Sequence, residues 1–354
     1  MVLTHIIYFL VGLALLVKGA AILVETASKL AKRLGVSEFI IGLTIVSLGT
    51  TIPELASSVA ASLLKQGDII TGTVIGSNIA NIGLIVGIIA SIAIIKTNKT
   101  MLKRDGYIMI FASIIAFLFM MNGIVSPIEG LVLLLLYIAY FLFLLESRKK
   151  LKEMHFKEFL DYFMKLKYLI TIKDLAINQI SNGKKYIGKD IHKKLYNAFK
   201  EGLIRDFIII ALCSIAVVFG ANFTVRETIW FAGFLKIPES LIAMTVIAVG
   251  TSLPELTVAI TAAKKGFTSI SMGNIIGANI ANLLLIFGIS AIINPIQVNK
   301  FMIFFAAPFM LISSSAFLLF IRSHGEIKKT HGAALLGLYA IFLTVSILFS
   351  INFM

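Results

Sequence analysis

Residues 49–54 read GTTIPE, in the middle of IIGLTIVSLGTTIPELASSVAASLL, an apolar run over 40–64. A helix suited to lipid has no evident use for a proline and a carboxylate at its centre. The interruption occurs twice: IAMTVIAVGTSLPELTVAITAA, 242–263, carries GTSLPE with Glu255 in the place of Glu54. Proline lacks a backbone donor and clashes with the carbonyl one turn back, here Gly49 and Gly250, so each helix must kink. The expectation is that the carbonyls of Ser47, Thr50, Ala248 and Thr251 are freed. Irregular backbone at membrane depth is tolerated only where it lines a cavity or lies inside protein. A carboxylate at that depth costs about 2.5–3.5 kcal/mol, which marks a functional site.

The surrounding chain is that of a polytopic membrane protein. Of its 354 residues 58% are hydrophobic and 14% charged, and the mean hydropathy is +0.97. Windows of about 20 residues predict ten spans, at 3–26, 38–63, 70–95, 105–122, 127–145, 206–233, 239–263, 269–293, 301–321 and 333–353. The first lacks a signal peptide's short apolar core and cleavage site, so it reads as a retained helix. The single cysteine, Cys213, excludes an intrachain disulfide.

A net charge of +14 raises the question of nucleic acid, but the distribution answers it in favour of the bilayer. Alternate loops hold 27 of the 32 Lys and Arg residues, which by the positive-inside rule places those loops in the cytoplasm and both termini outside, in the plasma membrane. Segment 147–205 carries most of this charge. Its start, LKEMHFKEFLDYFMKLKYLI, interleaves aromatics and lysines as a helix on anionic lipid would, although a solvated basic linker reads equally well.

The chain repeats itself at an offset of 201 residues: Gly19 meets Gly220, GTTIPE meets GTSLPE, and GTVIGSNIAN (72–81) meets GNIIGANIAN (273–282). At offset 202, Gly130 meets Gly332 and Tyr137 meets Tyr339. Five spans per copy make the second copy inverted. The fold class expected is therefore an all-α polytopic membrane protein of ten transmembrane helices in two inverted five-helix repeats, 1–146 and 206–354, around a basic cytoplasmic loop, 147–205. Such repeats build secondary transporters with sites near the midplane.

The midplane ligands on offer are all oxygen: two glutamates, kinked-helix carbonyls, and Ser77, Asn81 and Asn282 on the following helices. That set disfavours zinc, copper and iron, and a flexible shell of oxygens suits Ca2+ better than Mg2+. Two carboxylates neutralise one Ca2+ or two Na+. The glycines of GxxxG at Gly72, Gly76, Gly273 and Gly277 read as helix-packing positions. Lys18, Glu25, Arg226 and Glu227 lie off-centre and read as anchors or local pairs.

GTTIPE and GTSLPE, each followed by GxxIGxNIAN, resemble the paired alpha-repeats, here 42–85 and 243–286, of the cation/calcium exchanger superfamily, closest to its prokaryotic sodium/calcium exchanger branch. The resemblance implies an antiporter, not an enzyme, that needs no cofactor and has Ca2+ and Na+ as substrates. It implies Ca2+ on Glu54, Glu255, Thr50 and Thr251. Sodium would use Ser47, Glu54, Ser77, Ala248, Thr251 and Glu255 with the Thr51 and Ser252 hydroxyls nearby, and Asn81 and Asn282 would line the centre. Two positions depart from the pattern: Ala278 stands where a second serine is expected, and Asn282 where relatives often carry aspartate. The first removes an oxygen from one sodium site, the second argues against the potassium-dependent branch, and H+ stays open as the counter-ion. A passive cation channel is the alternative of another class. An intramembrane enzyme would need a nucleophile or a metal dyad, and Ser77 has no basic partner in the sequence.

Overall fold

The computed structural model describes residues 2–34, 36–97, 101–147, 155–171, 202–234 and 252–353. Those residues are almost entirely helical, as a chain in lipid requires when every backbone N–H must find its partner internally. Helix α1 (Val2–Leu34) leads to α2 (Glu38–Thr50) and α3 (Ile52–Leu63), a pair bent by 46°. Next come α4 (Gly67–Ile92), α5 (Met101–Gly106 running into Tyr107–Met120), α6 (Pro127–Ser147) and the short α7 (Phe156–Met164). The second half supplies α8 (Leu203–Phe234), α9 (Leu253–Lys264), α10 (Thr268–Ile293), α11 (Met302–Ala306 running into Ala307–His324) and α12 (Lys329–Phe353). Among the described residues seven helices are long and apolar enough to cross a membrane, and the bent α2–α3 pair makes an eighth. Residues 239–251, the first part of one expected span, lie outside the described residues, and Ala248 and Thr251 with them.

Burial decides which helices are central. The most apolar stretch of α10 is 83% buried and that of α4 72%, against 28% for α1 and 17% for α12. Helices α4 and α10 therefore form the axis, and the others are arranged around it. Glycines set the approach. A methyl added to Gly288 on α10 would stand 2.9 Å from the Gly130 carbonyl on α6, and one on Gly332 of α12 would stand 2.9 Å from the Gly87 carbonyl on α4. Gly130 and Gly332 are counterparts in the repeat, and so are Gly87 and Gly288.

The same exchange ties the helix ends. Strand β1 (Ile95–Lys96) pairs antiparallel with β4 (Glu326–Ile327), and β2 (Ile124–Val125) with β3 (Ile296–Gln297). Ile95 faces Ile327 while Val125 faces Ile296, so equivalent positions of the two halves are swapped between the ribbons. The turn after α3 passes through Lys65 at φ 58°, and the turn after α9 through Gly266 at φ 83°, the left-handed conformation that glycine adopts without strain.

Helices α1 and α8 pack along their length. A methyl on Gly220 would stand 2.7 Å from the Gly12 carbonyl. A hydrogen bond joins them at one end, between His5 Nδ1 and Glu227 Oε2 at 2.6 Å, and an ion pair at the other, Arg33 Nη1 to Asp206 Oδ2 at 3.0 Å. Glu25 pairs with Lys265 at 2.7 Å. The off-centre acids expected to be anchors thus have local partners.

Helix α7 falls in the basic segment. Its first turn is closed by Glu158 Oε2, which accepts from the His155 N–H at 3.0 Å. Phe159 and Tyr162 are buried against α6, with ring centroids 5.6 and 5.7 Å from that of Phe143. The aromatics that the sequence offered to lipid are largely taken up by protein. Met164, Leu166, Leu169 and Ile170 stay exposed beside Lys165 and Lys167.

Candidate ion-binding site

The carboxylates owe their position to the break itself. Helix α2 stops at Thr50, Thr51 adopts φ −85° and ψ 3°, and α3 begins with Ile52, Pro53 and Glu54. In the second half Ser252 adopts φ −92° and ψ 10°, and α9 begins with Leu253, Pro254 and Glu255. Proline is tolerated in a helix's first turn, where its missing donor is not needed. Each glutamate is thereby the third residue of a new helix. The positive end of a helix dipole favours a negative charge there by about 0.3–1 kcal/mol, which offsets part of the cost of holding an anion in the interior.

Glu54 is 2% exposed and Glu255 1%, and their carboxyls lie within each other's electrostatic reach. Among the described residues no hydrogen bond within 3.5 Å reaches Glu54 Oε2 or either oxygen of Glu255, beside which the Thr50 side chain stands. The Oγ atoms of Ser77 and Ser252 and the Oδ1 atoms of Asn81 and Asn282 are likewise buried and unpartnered. Buried polar atoms are hydrogen-bonded as a rule. Carboxylate, hydroxyl and amide oxygens left in this state are candidate cation ligands.

The turns of α4 and α10 that carry the central asparagines, Asn81–Val86 and Ala281–Ile286, are widened to π geometry, a device frequent at functional sites. The first packs against α9 and the second against α3, so each half's glutamate helix meets the other half's asparagine turn.

One expectation is corrected. The Ser47 carbonyl is not freed by Pro53: it accepts the Thr51 N–H at 3.0 Å, the Thr51 hydroxyl at 2.9 Å and the Thr50 hydroxyl at 3.2 Å. The donor that Pro53 lacks would have served the Gly49 carbonyl, two residues further on. The Ser47 hydroxyl donates to the Leu43 carbonyl at 2.7 Å, and Thr50 lies beside Glu255. Of the remaining expected ligands, Ala248 and Thr251 lie outside the described residues, and Ala278 is fully buried where its counterpart Ser77 offers a hydroxyl.

Three residues were missed. Asn274 Oδ1 accepts from the Thr50 hydroxyl at 3.2 Å, while Asn78 and Asn279 hydrogen-bond to the central asparagines. The signal was present for the last two, since NIAN is common to both repeats. Nothing marked Asn274, whose counterpart is Thr73.

Comparison with known proteins now decides the family. The model of the family described as sodium/calcium exchanger protein matches residues 4–146 and 206–348. This chain belongs to that family. It is 44% identical over 350 residues to the sodium/calcium exchanger MaX1 of Methanosarcina acetivorans, covering 98% of this chain and 99% of the relative. It is 31% identical over 290 residues to the inner membrane protein YrbG of Escherichia coli, covering 82% and 80%. Its fold matches a solved structure of the sodium-calcium exchanger NCX_Mj soaked with 10 mM Na+, with a TM-score of 0.76 and 27% identity over 97% of this chain and 99% of that one. The family member described here is a membrane transporter of the prokaryotic exchanger branch.

Proposed function

We propose that this protein is a secondary antiporter that exchanges Ca2+ for Na+ across the plasma membrane by alternating access. The observation that carries this reading is the pair Glu54 and Glu255, buried at matched helix starts within each other's field and short of hydrogen-bond donors. Two anions in a dry cage are costly unless cations or protons accompany them. The pair can therefore change its cargo but cannot cross empty, which couples the two fluxes. Relatives named sodium/calcium exchangers support the choice of ions.

In this reading Ca2+ sits on Glu54, Glu255, Thr50 and Thr251. Sodium takes flanking positions built from Ser77 and Ser47 on one side and Ala248, Thr251 and Ser252 on the other. The Ser47 carbonyl joins only when the Thr50 and Thr51 hydroxyls turn away from it. Ten spans form two inverted repeats, 1–146 and 206–354, with both termini outside. Support comes from the swapped strand ribbons, the paired glycine contacts and the loop charges. Helices α1 and α8, tied at one end by a hydrogen bond and at the other by an ion pair, move as one body past the α4–α10 axis. Loop 147–205 is cytoplasmic, and Lys165 and Lys167 with the exposed Leu166, Leu169 and Ile170 rest on anionic lipid.

Proteoliposomes loaded with Na+ and diluted into Na+-free medium are expected to accumulate 45Ca. Uptake driven by a proton gradient and indifferent to Na+ would replace sodium by protons as the counter-ion, and flux without any counter-ion gradient would make the protein a channel. Ala278, which leaves one side short of an oxygen, keeps the proton reading in view. Ala278→Ser is expected to lower the half-saturating Na+ concentration about threefold; an unchanged Na+ dependence would remove position 278 from the sodium site.

A further inference from the structure

The axis of the molecule contains an amide network whose polarity is fixed from outside the ion site. Asn78 on α4 donates through Nδ2 to the Asn279 carbonyl at 3.2 Å and to Met310 Sδ at 3.8 Å. Its counterpart Asn279 on α10 donates through Nδ2 to Met109 Sδ at 3.7 Å. A thioether and a carbonyl can only accept. Turning either amide over would set oxygen against acceptors, so the oxygens of Asn78 and Asn279 must point the other way. There they accept from the central pair: Asn282 Nδ2 donates to Asn78 Oδ1 at 3.0 Å, and Asn81 Nδ2 to Asn279 Oδ1 at 2.9 Å. With their NH2 groups held, Asn81 and Asn282 are left with unpartnered buried Oδ1 atoms. Residues 78 and 279, 81 and 282, and 109 and 310 are all 201 apart, so the device is built twice.

Without it, an asparagine on a turn that packs against a glutamate helix would lower its energy by turning its NH2 group toward the carboxylate, since hydrogen bonds to anions are the strong ones. That turn would neutralise the cage from within and present a donor where a cation must bind. We propose that Asn78 and Asn279, backed by Met310 and Met109, are positioning residues that hold Asn81 and Asn282 with oxygen toward the cation, so that the centre accepts metal ions and does not close on its own amides. The proposal rests on the exchanger reading of the same site.

Reconstituted Asn78→Leu is expected to raise the half-saturating Ca2+ concentration about tenfold, with the maximal rate within about twofold of the parent. The double variant Asn78→Leu/Asn282→Asp is expected to return to within about threefold of Asn282→Asp alone, because a carboxylate shows oxygen whichever way it turns. A merely structural loss at position 78 has no reason to be rescued there. Met109→Leu/Met310→Leu, which conserves volume, is expected to weaken Ca2+ about threefold, and it decides the matter if Asn78→Leu does not fold. Unchanged Ca2+ affinity in Asn78→Leu, or in the methionine pair where that variant cannot be purified, overturns the lock, and so does failure of the Asn282→Asp substitution to rescue. Glu54→Gln, assayed in parallel, separates the two failures: continued transport there defeats the exchanger site, whereas loss of transport there with normal Asn78→Leu defeats only the lock.

Discussion

Glu54→Gln and Glu255→Gln are each expected to reduce Na+-driven 45Ca uptake to the background of empty liposomes. Glutamine keeps the size of the side chain and one oxygen but removes the charge. At an effective dielectric of ~20 a unit charge about 4 Å from a monovalent cation contributes roughly 4 kcal/mol, so losing one carboxylate weakens cation binding by roughly three orders of magnitude. Ca2+, with twice the charge, loses more than Na+. Folding should survive, because an unpartnered buried carboxylate does not stabilise the native state. Gel filtration in detergent is expected to give the parent's profile for both variants. Both glutamates stand at matched helix starts and within each other's field, so the two variants should fail alike. Normal transport by either would remove that residue from the site.

Gly277→Val is expected to prevent α2 from packing on α10. A side chain at Gly277 would run into the Leu43 carbonyl of α2 and come within 2.6 Å of Ser47 Oγ, and Gly273 one turn earlier abuts the Phe39 carbonyl. The neighbours are mainly helix backbone, which cannot swing aside as a long side chain can. Overpacking costs about 1–3 kcal/mol and occasionally more, and contact with a fixed carbonyl puts this site at about 3 kcal/mol or above. The checks are the yield of monodisperse protein and its melting temperature. Gly337→Ala on α12, with no described atom within 4 Å of the new methyl, is the control and should melt no lower than the parent, as alanine favours a helix over glycine. A Gly277→Val protein that melts with the parent would show that α2 and α10 are not in contact in the membrane.

The two predictions fall on residues of different legibility. Glu54 and Glu255 stood out because a carboxylate and a proline in an apolar run are costly at any register, and cost is visible in one dimension. Gly273 and Gly277 were readable as packing positions from their spacing, but their partners were not. That α10 lies on α2, a helix more than 200 residues away in the chain, follows from the crossing of the two halves. The Ser47 carbonyl shows the limit of local reasoning. Ser47 was expected to lose its partner near Pro53, yet its carbonyl keeps the Thr51 N–H four residues on and also takes the Thr50 and Thr51 hydroxyls, whose rotamers depend on their surroundings. Segment 147–205 was similarly ambiguous: the aromatics of α7 suit lipid or protein equally well until Phe143 and Tyr140 are known to lie beneath them.

The amino-acid sequence alone settled that this chain lives in a bilayer, that it repeats a plan with an offset of 201 residues, and that two glutamates interrupt it at equivalent points. These are properties of composition and register, and solvation energy writes them directly into the order of residues. Only the tertiary structure decided that Asn78 and Asn279 accept from Asn282 and Asn81, that methionines on two other helices face their own NH2 groups, and that the widened turns bring each half's asparagine to the other half's glutamate helix. Hydrogen-bond polarity depends on which groups face one another across the axis, and that is fixed only when the two halves pack.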